Sequence, residues 1–249
     1  MKNIIGGLGD FLQIIDSAKK EEEISVYTHQ SYQTAFDFFQ GIDVKANIET
    51  FDSLEELQEL YQLSYETPLE RTLHPHIQFP DHSLNFANNF KKANLQNLSK
   101  VTVGVHPFGS DFSNKHWGDL GLPTKNIPIN LIDTLTISFS DYNFLIFGTE
   151  SEIAQWRGQI NATFICCPNI WDSLACVSLC DSFVGTDSSF KTMSVMSKIP
   201  TIIVVGDYED NFRDDNFITP YKRRGQLTTI KFTELDEEHL NQIKDFISV

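Results

Sequence analysis

Positive charge is scarce in this chain. Its 249 residues hold 19 Lys and Arg against 34 Asp and Glu, a formal net charge of -15. A surface that acidic repels nucleic-acid backbones and anionic membranes, so neither nucleic acid nor stable membrane insertion is expected. Long hydrophobic runs are missing as well. None approaches the roughly 18 residues that a membrane helix needs. The opening MKNIIGGLGDFLQ places glycines and an acid where a secretory leader keeps an unbroken apolar stretch, so a cytoplasmic location is expected. Cysteines number only four, Cys166, Cys167, Cys176 and Cys180, in a spacing that matches no zinc pattern. They read as reduced, buried thiols. No D-x-D stands at a strand end, and Asp207-Tyr208-Glu209 and Asp214-Asp215 read as solvated loop. Neither a metal nor a cofactor is therefore expected. The absence of G-x-x-x-x-G-K-[ST] excludes a P-loop.

What is present is an ordinary globular composition, 41% hydrophobic and 21% charged. The length suits one large domain or two small ones. Short apolar runs alternate with helical patterns. Strands are expected at Lys2–Ile5, Ile24–Tyr27 and Val44–Ile48, with helices at 10–19, 33–40 and 54–65. Ser53 and Glu56 form a capping box at the start of the last of these. Residues 66–83, with three prolines and three histidines, read as a loop, and 84–95 as a helix. After a polar turn near residue 97 a second series begins. Strands are expected at 101–105, 144–147, 164–167, 182–184 and 201–205, with helices at 131–139, 150–156, 171–180, 190–198 and 235–248. Such alternation argues for an α/β protein with parallel sheets covered on both faces. Two series imply two Rossmann-like domains, residues 1–98 and 99–234, and a closing helix at 235–249. That helix packs back on the first domain or serves a dimer. Ligands in such folds bind at the carboxyl ends of the strands.

Three motifs stand at those ends. The first is Gly6-Gly7-Leu8-Gly9-Asp10. Its glycines permit a tight turn and close backbone approach to a ligand. Leu12 occupies the place of the third glycine of a dinucleotide fingerprint, which argues against a nicotinamide cofactor. Asp10 is either a helix N-cap or a carboxylate able to take a proton from a hydroxyl. The second motif is His106 to Trp117, after strand 101–105. Lys115 offers positive charge for a phosphate. His106 and His116 are open to titration, against the plainer reading of hydrogen-bonded structural residues. The third is Val184 to Pro200. Asp187, Ser188 and Ser189 lead into a helix whose N–H groups, with the hydroxyls, suit a phosphate, and Lys191 adds charge. An ordinary Asp/Ser cap fits the same residues.

Taken in order, these motifs resemble the family 9 glycosyltransferases, the lipopolysaccharide heptosyltransferase family. The resemblance rests on Ile4–Gly9-Asp10-Phe11-Leu12, on His106-Pro107 with Lys115-His116-Trp117, and on FLIFGTESE. It extends to LACVSLCDSFVGTDSSFKT and to Thr219-Pro220-Tyr221, so that it covers residues 1–20 and about 100–230. It implies the GT-B fold, two Rossmann-like domains with parallel sheets facing a central cleft. It also implies an inverting, metal-independent transfer of a sugar, heptose or similar, from a nucleotide-diphosphate donor to a hydroxyl of a glycan or lipid-linked glycan, as in lipopolysaccharide biosynthesis. By the same resemblance Asp10 matches the general base and Lys115 the donor-phosphate lysine. Glu152 matches an acid that holds the donor ribose. Gly9 lies in the donor-binding glycine turn, and Asp187, Ser188 and Ser189 match the phosphate-binding turn, with Lys191 beside it. Two departures stand out. The family's D-S-G-x-x-H reads Asp187-Ser188-Ser189-Phe190-Lys191-Thr192 here, and the N-terminal half is shorter than usual. A non-catalytic or repurposed GT-B module that binds a nucleotide or glycan is the alternative.

Overall fold

The computed structural model describes residues 2–5, 8–9, 11–12, 18, 20–21, 23–30, 44–53, 56, 79–95, 99–109, 126–167, 169–205, 227–231 and 237–247. The chain divides into two compact units, residues 1–80 with 169–171 and residues 81–168 with 172–249.

The first unit holds a parallel sheet in the order β1 (Lys2–Ile5), β2 (Ile24–His29), β3 (Ala46–Phe51). Ile24 pairs with Lys2 on one side and Ala46 on the other. In the middle strand Ile24, Val26 and Thr28 are fully buried and Ser25 is nearly so, as expected of a strand covered on both faces. Leu8, Gly9, Phe11 and Leu12 are helical, and Phe11 and Leu12 are fully buried. The cap expected at Asp10 and the helix at 33–40 lie outside the described residues. Of the capping box at 53–56, the bond from Glu56 N–H to Ser53 Oγ is present at 3.4 Å.

The second unit is a doubly wound α/β layer. Its elements are α1 (Asp81–Asn94), β4 (Thr102–His106), α2 (Ile129–Ser138), β5 (Asn143–Phe147), α3 (Glu150–Ala154), β6 (Thr163–Ile165), α4 (Ile170–Val177, whose first two residues group with the other unit), β7 (Ser182–Gly185), α5 (Ser189–Met196), β8 (Thr201–Val205), β9 (Leu227–Lys231) and α6 (Glu237–Ile247). All strand pairings are parallel, in the order β6-β5-β4-β7-β8-β9. The chain thus winds outward from β4 through β5 and β6, returns to pair β7 with β4, and winds outward again. That is the Rossmann order, and its switch point lies between β4 and β7. Every residue of β4 and β7 is buried, as central parallel strands require. Val103, Val105, Ile146, Val184 and Ile202 form one core with Ile132 and Leu135 of α2 and with Ile243 and Ile247 of α6. The closing helix therefore buries its apolar face in the second unit.

Two elements depart from the sequence reading. β9 was not expected; Leu227-Thr-Thr-Ile-Lys carries little apolar character and becomes a strand by pairing with β8. α1 starts at Asp81, inside the stretch read as loop, and groups with the second unit. Among the described residues, no helix is long and apolar enough to cross a membrane.

Gly185 shows how tightly the switch point is packed. A Cβ there would stand 2.9 Å from the His106 carbonyl oxygen and 2.9 Å from the Phe183 ring. A carbonyl of the paired strand cannot step aside cheaply. Gly185→Ala is expected to destabilise the protein by about 1–3 kcal/mol, a fall in Tm on the order of 2–12 °C. An unchanged melting curve would show that β4 and β7 separate more easily than their packing indicates.

Candidate nucleotide-binding site at the β4/β7 switch point

The carboxyl ends of β4, β5 and β7 each lead into residues singled out from the sequence. After β7, Thr186, Asp187 and Ser188 lead into α5. Ser188 is the N-cap, in an extended conformation, and its Oγ accepts the Lys191 N–H at 3.4 Å. Its carbonyl accepts both the N–H (3.1 Å) and the Oγ1–H (3.2 Å) of Thr192. The cap reading of this turn is thus realised in its geometry. The same geometry points the first-turn N–H groups of α5 toward the sheet end, the arrangement that receives anions. Asp187, Ser188 and Ser189 are half-buried, so a ligand reaches them.

Lys191 does not extend as a loose cation. Its side chain is only 5% exposed, and Nζ lies 2.7 Å from Asp187 Oδ1, one helical turn away. The ammonium and the carboxylate cancel. The turn therefore meets a ligand with hydroxyls and the positive end of α5 rather than with net charge.

After β4 comes His106, followed by Pro107 and Phe108. His106 is buried, stacked on Phe190 of α5 (centroids 4.5 Å apart, planes at 28°) and edge-on to Phe108 (6.1 Å, 85°). Its Nδ1 has no hydrogen-bond partner. Burial pushes its pKa down from 6.5 to about 3, so the imidazole is neutral at physiological pH. The expectation of a titrating His106 is corrected, because burial beside the Phe190 and Phe108 rings disfavours the imidazolium. Next to it Thr186 is fully buried; its N–H donates to the His106 carbonyl at 3.0 Å, and its Oγ1 has no partner. Sequence reasoning missed Thr186 and Phe190. No local signal marks them, since their roles arise from the pairing of β7 with β4. Pro107 accepts from Ile127 N–H at 2.7 Å, and Gly109 N–H donates to Asn126 Oδ1 at 2.7 Å. These bonds join residues on either side of positions 110–125, among which Lys115 falls. Lys115, like Asp10, lies outside the described residues.

After β5, Gly148 and Thr149 start α3. Glu152 completes a full capping box: its Oε2 accepts from Thr149 N–H at 2.7 Å and from Thr149 Oγ1 at 2.8 Å, while Thr149 Oγ1 accepts the Glu152 N–H at 3.4 Å. Glu152 thus has a structural task, one that the Thr149-x-x-Glu152 spacing of a capping box signals in the sequence. A Cβ at Gly148 would come within 2.8 Å of the Phe108 ring, which ties the β5 loop to the β4 loop. Gly9, in the first unit, is helical and half-buried. The structure thus gathers Asp187, Ser188, Ser189 and Lys191 around the start of α5 and sets Glu152 in the first turn of α3, which follows the neighbouring part of the sheet at β5. Among the described residues, no group of three or more His, Cys, Asp and Glu could hold a metal ion.

No protein-family model matches the chain, and no characterised protein matches it in sequence. Its fold does have relatives. The structure of the ADP-heptose LPS heptosyltransferase II of E. coli superimposes with a TM-score of 0.63 at 11% identity, over 100% of this chain and 99% of that one. A glycosyl transferase family 9 structure from Veillonella parvula DSM 2008 superimposes with a TM-score of 0.51 at 12% identity, over 96% of this chain and 70% of that one. The chain has the α/β, GT-B-like fold of these glycosyltransferases.

Proposed function

We propose that this protein is an inverting, metal-independent glycosyltransferase. It moves a sugar, heptose or similar, from a nucleoside diphosphate to a hydroxyl of a glycan or lipopolysaccharide-type acceptor, and it works in the cytoplasm without a cofactor. The observation that carries this reading is the Asp187-Ser188-Ser189 turn. It opens α5 at the switch point of a Rossmann sheet, within a fold shared over its whole length with a heptosyltransferase.

In this reading the diphosphate rests on the first turn of α5, with Ser188 and Ser189 beside it and Lys115 supplying positive charge. As the glycosidic bond breaks, negative charge grows on the leaving phosphate. Oriented N–H groups aimed at that charge stabilise the transition state more than the ground state. Asp10 takes the proton of the acceptor hydroxyl while its oxygen attacks the opposite face of the anomeric carbon, which inverts the configuration. Lys191 holds Asp187 in place rather than serving the phosphate alone.

A second reading, a module that binds a nucleotide or glycan without catalysis, draws support from the Asp187–Lys191 pair. That pair uses the cation which would otherwise stabilise the leaving group. Thermal shifts with ADP, GDP, UDP, CDP, NAD and NADP test the common premise. A ligand at about 100 times its Kd adds roughly 2.7 kcal/mol, on the order of 5–10 °C in Tm for a chain of this size. One nucleoside diphosphate is expected to give that shift, and Lys115→Ala to reduce it. Silence with every diphosphate, or a shift with NAD alone, would overturn the proposal. Binding without release of nucleoside diphosphate from a donor sugar would favour the module.

A further inference from the structure

The carboxyl end of the first sheet carries side chains that the proposed reaction leaves unused. Alternate residues of a strand share one face of a sheet, and so do residues paired across neighbouring parallel strands. Tyr27 pairs with Glu49, and His29 with Phe51. These four side chains therefore stand on one face, at the ends of β2 and β3. The opposite face of β2 is closed, with Val26 and Thr28 fully buried. On the shared face burial fades toward the carboxyl end. Ser25 is buried, Tyr27, His29 and Phe51 are half-buried, and Glu49 is exposed. The Tyr27 and Phe51 rings lie side by side, centroids 6.2 Å apart and planes at 44°. We propose that this face holds an uncharged sugar of the acceptor, an assignment that rests on the glycosyltransferase reading above.

The chemistry of the face selects that occupant. Aromatic rings offer a broad apolar surface with an electron-rich face, and the C–H side of a sugar ring is the matching apolar surface. A carboxylate only accepts hydrogen bonds, and it takes two O–H donors at once in charge-assisted bonds. Two rings beside Glu49 thus fit a molecule that is apolar over its ring and hydroxylated at its rim. A wholly apolar ligand would strip water from the carboxylate and give nothing back. A sugar phosphate or a uronic acid would meet charge of its own sign. Residues 1–80 hold five Lys and Arg against fourteen Asp and Glu, so the field of this unit adds to the repulsion by Glu49.

The place in the fold suits an acceptor. β1 ends at Ile5, which pairs with Tyr27, and the chain runs on from there into the Gly6–Asp10 turn. All three strands are parallel, so their carboxyl ends lie at one edge of the sheet. Ligands of such sheets bind at that edge. A sugar resting on Tyr27 and Phe51 therefore lies at the edge that β1 leaves toward Asp10, the base assigned to the acceptor hydroxyl.

Saturation-transfer NMR of the full chain tests this with four probes: methyl β-D-glucopyranoside, methyl β-D-galactopyranoside, methyl α-D-mannopyranoside and glucose 6-phosphate. At least one methyl glycoside is expected to receive saturation, most strongly at its ring C–H protons, and glucose 6-phosphate none. Phe51→Ala is expected to weaken that binding about 3–10-fold, and Glu49→Gln about tenfold. Both variants should keep the thermal shift given by the nucleoside diphosphate. Silence with every glycoside, binding of equal strength in both variants, or a preference for glucose 6-phosphate would overturn the proposal. Glu49 is exposed, so Glu49→Gln decides the matter even where Phe51→Ala folds poorly. The two readings fail separately. A diphosphate shift without glycoside binding sinks the sugar face alone. Glycoside binding to a protein that no diphosphate stabilises sinks the transfer and leaves the sugar face standing.

Discussion

Asparagine in place of Asp10 is expected to cut sugar transfer by about 10²–10⁴-fold, the range for loss of a positioned proton acceptor, while the protein still folds. The substitution separates two roles that Asp10 has in the sequence. Asparagine caps a helix about as well as aspartate and has nearly the same shape. It cannot accept the proton of an attacking hydroxyl. A carboxylate at a helix N-terminus is a weak base, because the positive end of the helix favours its charged form. Its contribution is therefore orientation of the hydroxyl and late uptake of the proton. The measurement is release of nucleoside diphosphate from the donor selected by thermal shift, alongside a melting curve. Lost turnover with an unchanged melt is the expected result. Undiminished turnover with an unchanged melt would remove Asp10 from the reaction and leave it the role of a cap, which asparagine fills equally well.

Acid is expected to destabilise the protein through His106, and His106→Phe to remove that sensitivity. The folded pKa, about 3, lies below the unfolded value of 6.5. Above pH 6.5 both states hold the imidazole neutral, and it contributes no pH dependence. As pH falls through 6.5 the unfolded chain binds a proton that the folded chain refuses. Stability falls with it, until the folded imidazole is itself protonated near pH 3. The loss reaches about 2 kcal/mol at pH 5 and about 4 kcal/mol near pH 3. At pH 5 that corresponds to roughly 4–8 °C in Tm. Phenylalanine keeps the stack on Phe190 and removes the unpartnered Nδ1, so the variant is expected to match the parent at pH 7. Melting curves of both proteins between pH 7 and pH 5 should diverge by the stated amount. Parallel curves would show that His106 is hydrated or protonated in the folded protein.

The two predictions differ in how far the sequence alone carried them. The glycine turn with its acid, and the order in which the motifs occur, point to a GT-B-like fold from the sequence alone, and the structural relatives share that fold. Most strands were legible because central parallel strands read as short, continuous apolar runs, as in Val101–Val105 and Thr201–Val205. β9 was not, because an edge strand needs little apolar character and takes its form from the neighbour it pairs with. α1 was found, but its pattern misled in one respect. It buries Ser83 and Ala87 while Leu84 and Phe86 are exposed, so the close-packed face is the small one. Lys191 read as a cation offered to a ligand. Only the helix geometry revealed Asp187 as its partner, although the spacing of four residues was a signal that could have been used.

Local order was thus written in the chain itself. Caps at Thr149 and Ser188, the apolar face of α6 and the strand runs depend on neighbours within a few residues, which periodicity and side-chain type encode directly. What surrounds His106 was decided elsewhere. β4 and β7 lie side by side although the Thr102 N–H and the Asp181 carboxylate that join them, 2.8 Å apart, are separated by 79 residues. That pairing buries the imidazole, strands Thr186 Oγ1 and requires glycine at 185. Burial and charge pairing of this kind depend on the surrounding atoms in three dimensions, and no window along the sequence contains them.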